Sequence, residues 1–344
     1  MARSKVVKKV AKQAEAKLKQ ADAAFVRVKV AAEVEQSLST SRTIERVTVN
    51  KAYKMYIGGA FVRSESGRSF RVKGPKSTDP EVVNMPRGSR KDIRDAVLVA
   101  KNAQASWAAR TPFNRGQILY RLAEMMESRR SELAMSLGRE GREGREGREG
   151  QGAADAAREV QVAIDRCVYY SGMCDKLSAL LASHNPVSGP HFGFTLPESL
   201  GVVGIVSPTS PSLLGLVSAV VPVITGGNTV VAIVASGDPR TAAIWTECLA
   251  TSDLPGGVVN VIYGQADELL PHMAKHREVS GLSLWGDLGA LGVQAEIDGA
   301  DSVKRVRRYG DADRSLIATE DGARGLGYVE PFLEFKTVWH PMGM

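Results

Sequence analysis

Three cysteines are the first residues in this sequence that could do chemistry, because a thiolate can attack a carbonyl carbon or bind a metal ion. Cys167 and Cys174 lie seven residues apart, outside the usual spacings of zinc ligands, and Cys248 stands far from both. Three cysteines at these spacings do not form a disulfide framework, which favours a reducing, cytoplasmic setting. Since all three fall in stretches with helical apolar patterns, we interpret them as packing residues.

Two histidines form the second candidate. His272 and His276 are four residues apart in a predicted helix, so both rings could reach one metal ion. The sequence offers no third ligand near them. We therefore interpret them as surface residues and predict no metal site.

The second half of the chain alternates between short β-branched apolar runs and helical stretches, a pattern typical of buried parallel strands joined by helices. It predicts a doubly wound, Rossmann-like α/β sheet with ligands at the carboxyl ends of its strands. The predicted strands are GVVGIVS (201–207), NTVVAIVA (228–235), VVNVIYG (258–264) and VSGLSLWG (279–286).

Upstream of these strands the pattern changes several times. The run KMYIGGAFV, the polar turn SESGRS and the run FRVKGP predict a β-hairpin, and two amphipathic helices follow over 90–109 and 114–137. Residues 138–150 repeat Gly-Arg-Glu, which favours a flexible, solvated loop. Helical periodicity resumes over 153–177.

The positive charge of the chain is concentrated at its start. The formal net charge is +7, and residues 1–30 carry nine Lys or Arg against two acidic residues, so the remainder is formally neutral. We expect 1–45 to be a basic helical extension with a weak heptad seam, and the neutral body to bind no nucleic acid. Prolines interrupt the longest apolar run before it reaches the roughly 18 residues of a membrane helix. We therefore expect neither a membrane span nor a secretory signal.

Several ordered motifs together resemble the aldehyde dehydrogenase family. The strand GVVGIV runs into Pro208-Thr209-Ser210, where the family has Pro-Trp-Asn; GNTVV follows at 227–231 and LPGGVVNV at 254–261. With YIGGAF and NRGQILYRLAEMMESRR, the resemblance covers roughly residues 53–287. It implies that 46–287 form the nucleotide-binding domain of that family.

The resemblance also implies NAD or NADP as the cofactor and a set of site positions. Ser210 stands at the asparagine that helps to stabilise the oxyanion, and Ile233 at the lysine that holds the cofactor ribose. Isoleucine donates no hydrogen bond, and a carboxylate at Asp287 repels a pyrophosphate, so we expect cofactor binding to be weak. The positions implied to face the cofactor are Ser207, Pro208, Thr209, Ser210, Ile233, Ser236, Gly264, Gly286 and Asp287.

The family's Glu-Leu-Gly-Gly base segment and nucleophilic cysteine have no counterpart that we identify after Asp287. The segment GLGYVEPFLEFKTVWHP resembles the C-terminal strand of the family, which pairs across a subunit interface. We therefore expect an internal deletion of the catalytic domain, and 288–344 to be a remnant linker followed by oligomerisation strands. SVKRVRRY (302–309) is our expected neighbour of the C-terminal strand.

Three functions remain open from the sequence. The first is a catalytically impaired family member that forms a homo-oligomer or joins a full-length aldehyde dehydrogenase. The second is an NAD(P)-dependent oxidoreductase acting on aldehyde or oxo groups. The third is a nucleotide-binding sensor without chemistry.

Overall fold

The computed structural model describes residues 51–72, 83–140, 149–235 and 239–343, together with 12, 13, 15, 16 and 19–21 near the start. The chain divides into two compact units, Met1–Val49 and Asn50–Met344. The described residues of the first unit are helical and exposed. Most of the predicted heptad seam, the centre of the Gly-Arg-Glu repeat (141–148) and Ser236 lie outside the described residues.

A seven-stranded sheet organises the second unit. Its strands are β1 Met55–Ile57, β2 Ala60–Val62, β7 Val202–Val206, β8 Thr229–Val234, β9 Val259–Tyr263, β10 Val279–Trp285 and β11 Arg305–Tyr309. They lie in the order β11-β10-β7-β8-β9-β1-β2. The five strands from β11 to β9 run parallel, and β1 is antiparallel to both β9 and β2. Every residue of β7, β8 and β9 is buried, as their β-branched sequences predict.

Helices cover this sheet on both faces, which confirms the doubly wound α/β fold. On one face lie α1 (Arg90–Ala108), α8 (Ala266–Ala274) and α9 (Gly289–Ala300). On the other lies α6 (Ser212–Thr225), which is buried along almost its whole length because further helices pack outside it. These further helices are α2 Pro112–Ser128, α3 Arg130–Glu140, α4 Glu149–Met173 and α7 Arg240–Thr251, and the short α5 is Leu177–Leu181.

The predicted amino-terminal hairpin has a different pairing. β1 pairs with β2 through the two-residue turn Gly58-Gly59, where both residues have positive φ angles of 66° and 83°. Such a turn is typical of a tight hairpin. FRV, which we expected to return onto YIGGAF, belongs to β3 (Ser69–Val72) and pairs instead with β4 (Val83–Pro86).

The expected position of SVKRVRRY is wrong. Its β11 pairs in parallel with β10, from Gly281 opposite Arg305 to Trp285 opposite Tyr309. Residues 289–300, expected to be a linker, form α9 and supply the crossover that two parallel neighbours require.

A segment after β11 covers the edge of the sheet. It contains α10 (Asp311–Ile317) and two short 3-10 turns, Leu326–Tyr328 and Glu330–Phe332. Trp285 stacks on Tyr309 with ring centroids 3.8 Å apart, and Tyr328 stacks on Tyr309 at 5.8 Å. These three rings join β10, β11 and the segment into one apolar cluster.

Hydrogen bonds from α4 also hold this segment. The fully buried Arg166 donates to the Thr319 carbonyl oxygen at 3.1 Å and to the Ser218 hydroxyl at 2.7 Å. The Tyr170 hydroxyl donates to the Ala323 carbonyl oxygen at 2.9 Å. Burial lowers the pKa of Arg166 to about 10, which leaves the guanidinium charged at neutral pH.

A second sheet has three strands in the order β12-β6-β5. β12 (Leu333–Pro341) pairs antiparallel with β6 (His191–Ser199) over nine residues, and β5 (Ser183–Asn185) pairs with the other side of β6. The predicted C-terminal strand therefore exists, with its neighbour inside the same chain.

The aromatic cluster leads to a stability prediction. Replacing the 3% exposed Trp285 with alanine should lower the free energy of unfolding by about 3–5 kcal/mol, because the change leaves a cavity between β10 and Tyr309. Chemical denaturation measures this difference. Phe113→Ala, at a 65% exposed ring, is the control and should change the free energy by less than about 0.5 kcal/mol. Equal effects of the two substitutions would contradict the packing described here.

Candidate functional site

Four of the predicted site positions follow the carboxyl ends of neighbouring parallel strands. Ser207 follows β7, Gly264 follows β9 and Gly286 follows β10, while Ile233 lies near the end of β8. The backbone joins them directly, because Ser207 N donates to the Ile233 carbonyl at 3.0 Å and Gly264 N donates to the Val234 carbonyl at 3.3 Å. The structure thus brings these residues to one edge of the sheet.

The polar turn after β7 is partly exposed to solvent. Ser207 and Pro208 are buried, whereas Thr209 and Ser210 are exposed. Pro208 packs closely on α6, where a Cβ added at Gly215 would lie 2.4 Å from the proline ring. The Ser210 hydroxyl is therefore accessible, and the turn that carries it is fixed by packing.

The amino terminus of α6 holds a carboxylate from the chain itself. Glu159 of α4 accepts hydrogen bonds from the Leu213 and Leu214 backbone N–H groups at 2.9 and 3.1 Å. Burial raises the pKa of Glu159, and these two hydrogen bonds oppose that shift. Glu159 therefore satisfies two of the N–H groups at this helix start that could otherwise receive an anion. Sequence reasoning missed this residue, because no local motif distinguishes it from the other charged residues of α4.

Ile233 points into the core. It is fully buried within β8, between β7 and β9 in the sheet. Its side chain takes part in helix–sheet packing and does not face the open edge. Ser236, the next predicted position along this strand, lies outside the described residues.

An open cavity of about 430 Å³ lies where β10 and β11 end. Asp287 lines it, and the Asp287 carboxylate accepts a hydrogen bond of 3.0 Å from Gly289 N at the start of α9. The other lining residues are Gly286, Arg308, Tyr309 and Gly310. The last three were missed from the sequence because β11 had been assigned to the wrong sheet.

Arg308 supplies a cation to this cavity. Its guanidinium lies against α9, where a Cβ added at Gly292 would come within 3.2 Å of it, and Glu296 is 3.8 Å away. The cavity therefore contains one carboxylate and one guanidinium, a mixed lining that differs from an anion cradle made only of donors.

None of the three thiols lies at this edge. Cys167, Cys174 and Cys248 are buried, and Cys167 Sγ is 3.7 Å from the sulfur of Met126. Burial raises the pKa of each thiol to about 12. They pack as apolar groups, as their helical patterns predict.

The expected helix holds only one of the two histidines: His272 lies in the last turn of α8, whereas His276 lies two residues beyond its end, and neither lines the cavity beside Asp287. Among the residues that the structure describes, no group of three His, Cys, Asp or Glu side chains is arranged to hold a metal ion. Within the same residues, no helix combines the length and the apolar character needed to cross a bilayer.

Comparisons with known proteins agree with the fold and with the motifs. Alpha-ketoglutaric semialdehyde dehydrogenase of Bacillus subtilis is 28% identical over 241 residues, 70% of this chain and 47% of the relative. The structure of an NAD-dependent aldehyde dehydrogenase from Sinorhizobium meliloti has 26% identity and a TM-score of 0.67, over 77% of this chain and 51% of that one. An NAD+ complex of an aldehyde dehydrogenase from Bacillus cereus shares the fold, with a TM-score of 0.68 at 23% identity over 76% and 51% of the two chains.

The chain spans half or less of the length of the curated relatives it matches. The model of the aldehyde dehydrogenase family matches residues 61–308, which include all of β11 except its last residue. Since this match covers well over half of the chain, the protein belongs to the aldehyde dehydrogenase family.

Proposed function

We propose that this chain is a catalytically impaired family member that serves as a structural partner, joining a full-length aldehyde dehydrogenase or a second copy of itself through the sheet β5–β6–β12. The single observation that supports it best is the exposure of apolar side chains on both faces of that sheet. One face carries Phe192 and Leu196, exposed by 42% and 39%, and the opposite face carries Phe335 and Trp339, exposed by 42% and 58%.

A small sheet with aromatic residues on both faces gains little stability when solvated. Burying such a patch against another protein removes apolar area from water, and aromatic residues dominate the energetics of many interfaces. Among the described strands β12 is also an edge strand of nine residues, so none of them pairs with the outward half of its backbone groups. Both features favour association.

The positions of the thiols support the part of the proposal that concerns impaired catalysis. Aldehyde oxidation through a covalent intermediate requires a thiolate next to the aldehyde. The three thiols of this chain are buried, protonated at neutral pH and remote from the sheet edge. No described residue of this edge offers a substitute nucleophile beside a base.

The cofactor expected in this family fits the edge poorly. Ile233 is buried where the family places a ribose-binding lysine, and Asp287 puts a negative charge at the start of α9, where a pyrophosphate would need donors. We therefore propose weak binding of NAD or NADP.

The nucleotide-binding sensor is a second candidate because Arg308 gives the cavity beside Asp287 one anion-binding group. A sensor requires saturable nucleotide binding by the wild-type protein. The structural-partner function requires no nucleotide binding, so a binding measurement distinguishes it from the sensor function.

Association through the sheet is tested by native mass spectrometry of the protein isolated from its own host. We expect an assembly containing a full-length aldehyde dehydrogenase or further copies of this chain. Phe335→Ser combined with Trp339→Ser should weaken the assembly by at least about 100-fold, since two interface aromatics are removed. Ile297→Ser, at a 59% exposed residue of α9, is the control and should leave the assembly intact. A wild-type protein that stays monomeric and alone would overturn the proposal.

Thiol reactivity is tested with a chromogenic disulfide reagent at pH 8. The native protein should show almost no fast labelling, because buried thiols with a pKa of about 12 form little thiolate, and all three should react after unfolding. Ser210→Cys is the control, and this exposed thiol should react quickly and once per chain. Fast labelling of one native thiol would contradict the absence of a nucleophile.

The repulsion by Asp287 is tested by calorimetric titration with NAD and NADP. Asp287→Ser should tighten dinucleotide binding by about threefold to fivefold, the effect of removing one like charge at an exposed site. Asp301→Ser removes the same charge at the opposite end of α9 and should have little effect. Tight binding by the wild type, unchanged in Asp287→Ser, would show that the carboxylate does not weaken dinucleotide binding.

A further inference from the structure

A groove with an unusual concentration of positive charge lies between the start of α1 and the end of α8. It encloses about 310 Å³, and its lining contains four permanent cations: Arg90, Lys91 and Arg94 on α1 and Lys275 on α8. His272 and His276 complete the α8 side, and the buried Ile93 completes the lining. No carboxylate belongs to the lining.

Nearby carboxylates neutralise part of this charge. Asp95 accepts a hydrogen bond of 2.7 Å from Arg94, and Asp298 lies 3.5 Å from the Lys275 ammonium group. Lys91 pairs with Glu65. Among the described residues Arg90 forms no ion pair, so its guanidinium is available to a ligand.

The histidines experience this positive environment directly. Burial, followed by the charges of Arg90 and Lys275, lowers the pKa of His272. Burial also lowers the pKa of His276, where Lys304 adds to the shift and Glu278 opposes it. Glu278 is itself paired with Lys101 at 3.1 Å. Both rings are therefore mostly neutral at pH 7 in the free protein and can take up a proton when an anion enters.

The groove is separate from the edge of the parallel sheet. Its α8 residues lie at the carboxyl end of that helix, whereas Gly264 lies just before its amino end. It shares no lining residue with the cavity beside Asp287. A ligand here would leave the carboxyl ends of the strands free.

We propose that this groove binds a small polyanion that carries two or more phosphate groups. Guanidinium groups donate paired hydrogen bonds to phosphate oxygens, and the ammonium group of Lys275 adds a point charge from the opposite helix. The volume is at the lower end of small-molecule sites, which suits a compact ligand better than a folded partner. This binding is independent of the proposed association through β5–β6–β12.

The proposal includes a dependence on pH. A bound anion stabilises protonated His272 and His276, so it raises the pKa of both rings. Binding therefore takes up protons, and affinity should be higher at pH 6 than at pH 8. Because phosphate groups themselves take up protons in this range, the part of the change due to the rings is the part lost in His272→Gln combined with His276→Gln.

The test is calorimetric titration of the full-length protein with inorganic pyrophosphate at low ionic strength, where exposed charges are least screened. We expect saturable binding with one site per chain, tighter at pH 6 than at pH 8. Arg90→Gln combined with Lys275→Gln should weaken it by at least about tenfold, since two charge-assisted contacts are lost. Citrate in place of pyrophosphate shows whether the site requires phosphate, and equal affinity for both would overturn the stated ligand class.

Two matched controls make the result specific. Arg121→Gln combined with Lys176→Gln removes the same charge from another open cavity and should alter the affinity less than twofold. Arg308→Gln removes the cation beside Asp287 and should also leave the affinity for pyrophosphate unchanged. The proposal is overturned if the wild type shows no saturable binding, or if the Arg121 and Lys176 control loses as much affinity as the groove variant. A loss of affinity in Arg308→Gln would also overturn it, because it would place the anion at the sheet edge.

Discussion

A parallel sheet must be buried on both faces, because the helices that connect its strands are also the layers that exclude water from it. The rest of the structure depends on how this chain meets that constraint. α6 covers the centre of one face and α1 and α8 cover the other. At the β10–β11 edge the cover comes from the segment after β11, which is held by the stacked rings of Trp285, Tyr309 and Tyr328. This whole segment lies beyond residue 308, where the family match ends.

Covering the sheet has consequences for the site at its edge. The fold still gathers the ends of the parallel strands, as any doubly wound sheet does. Three side chains there have structural roles: Ile233 contributes to the core, Glu159 satisfies N–H groups at the start of α6, and Asp287 accepts a hydrogen bond at the start of α9. In the proposed function, the two carboxylates also disfavour an anionic cofactor. The fold of the family is retained.

The sequence predicted most of the central sheet and less of its edges. β7, β8, β9 and β10 were predicted closely, because buried parallel strands are short apolar runs that local composition reveals. The pairings of β3 and β11 were wrong because a strand's partner depends on distant residues. For β11 the decisive feature was α9, whose sequence has only weak amphipathic character.

The residues of the candidate site were likewise only partly predictable from local sequence. Resemblance located Ser207, Gly264 and Gly286, since their positions follow from strand ends. Glu159 and Arg308 reach the edge from α4 and from a strand assigned elsewhere, so no local motif indicated them. The basic groove likewise joins residues about 180 positions apart, and only the packing of α1 against α8 reveals it.

Hydrogen exchange of the backbone amides in the purified assembly tests the central claim most directly, because it locates the contact surface without altering the protein. β12 uses one side for β6, and none of the described strands pairs with its outward amides. The account predicts that these outward amides and the adjacent β6 residues exchange markedly more slowly in the assembly than in the free chain. Equal exchange of β6 and β12 in the two states, with protection elsewhere, would contradict it.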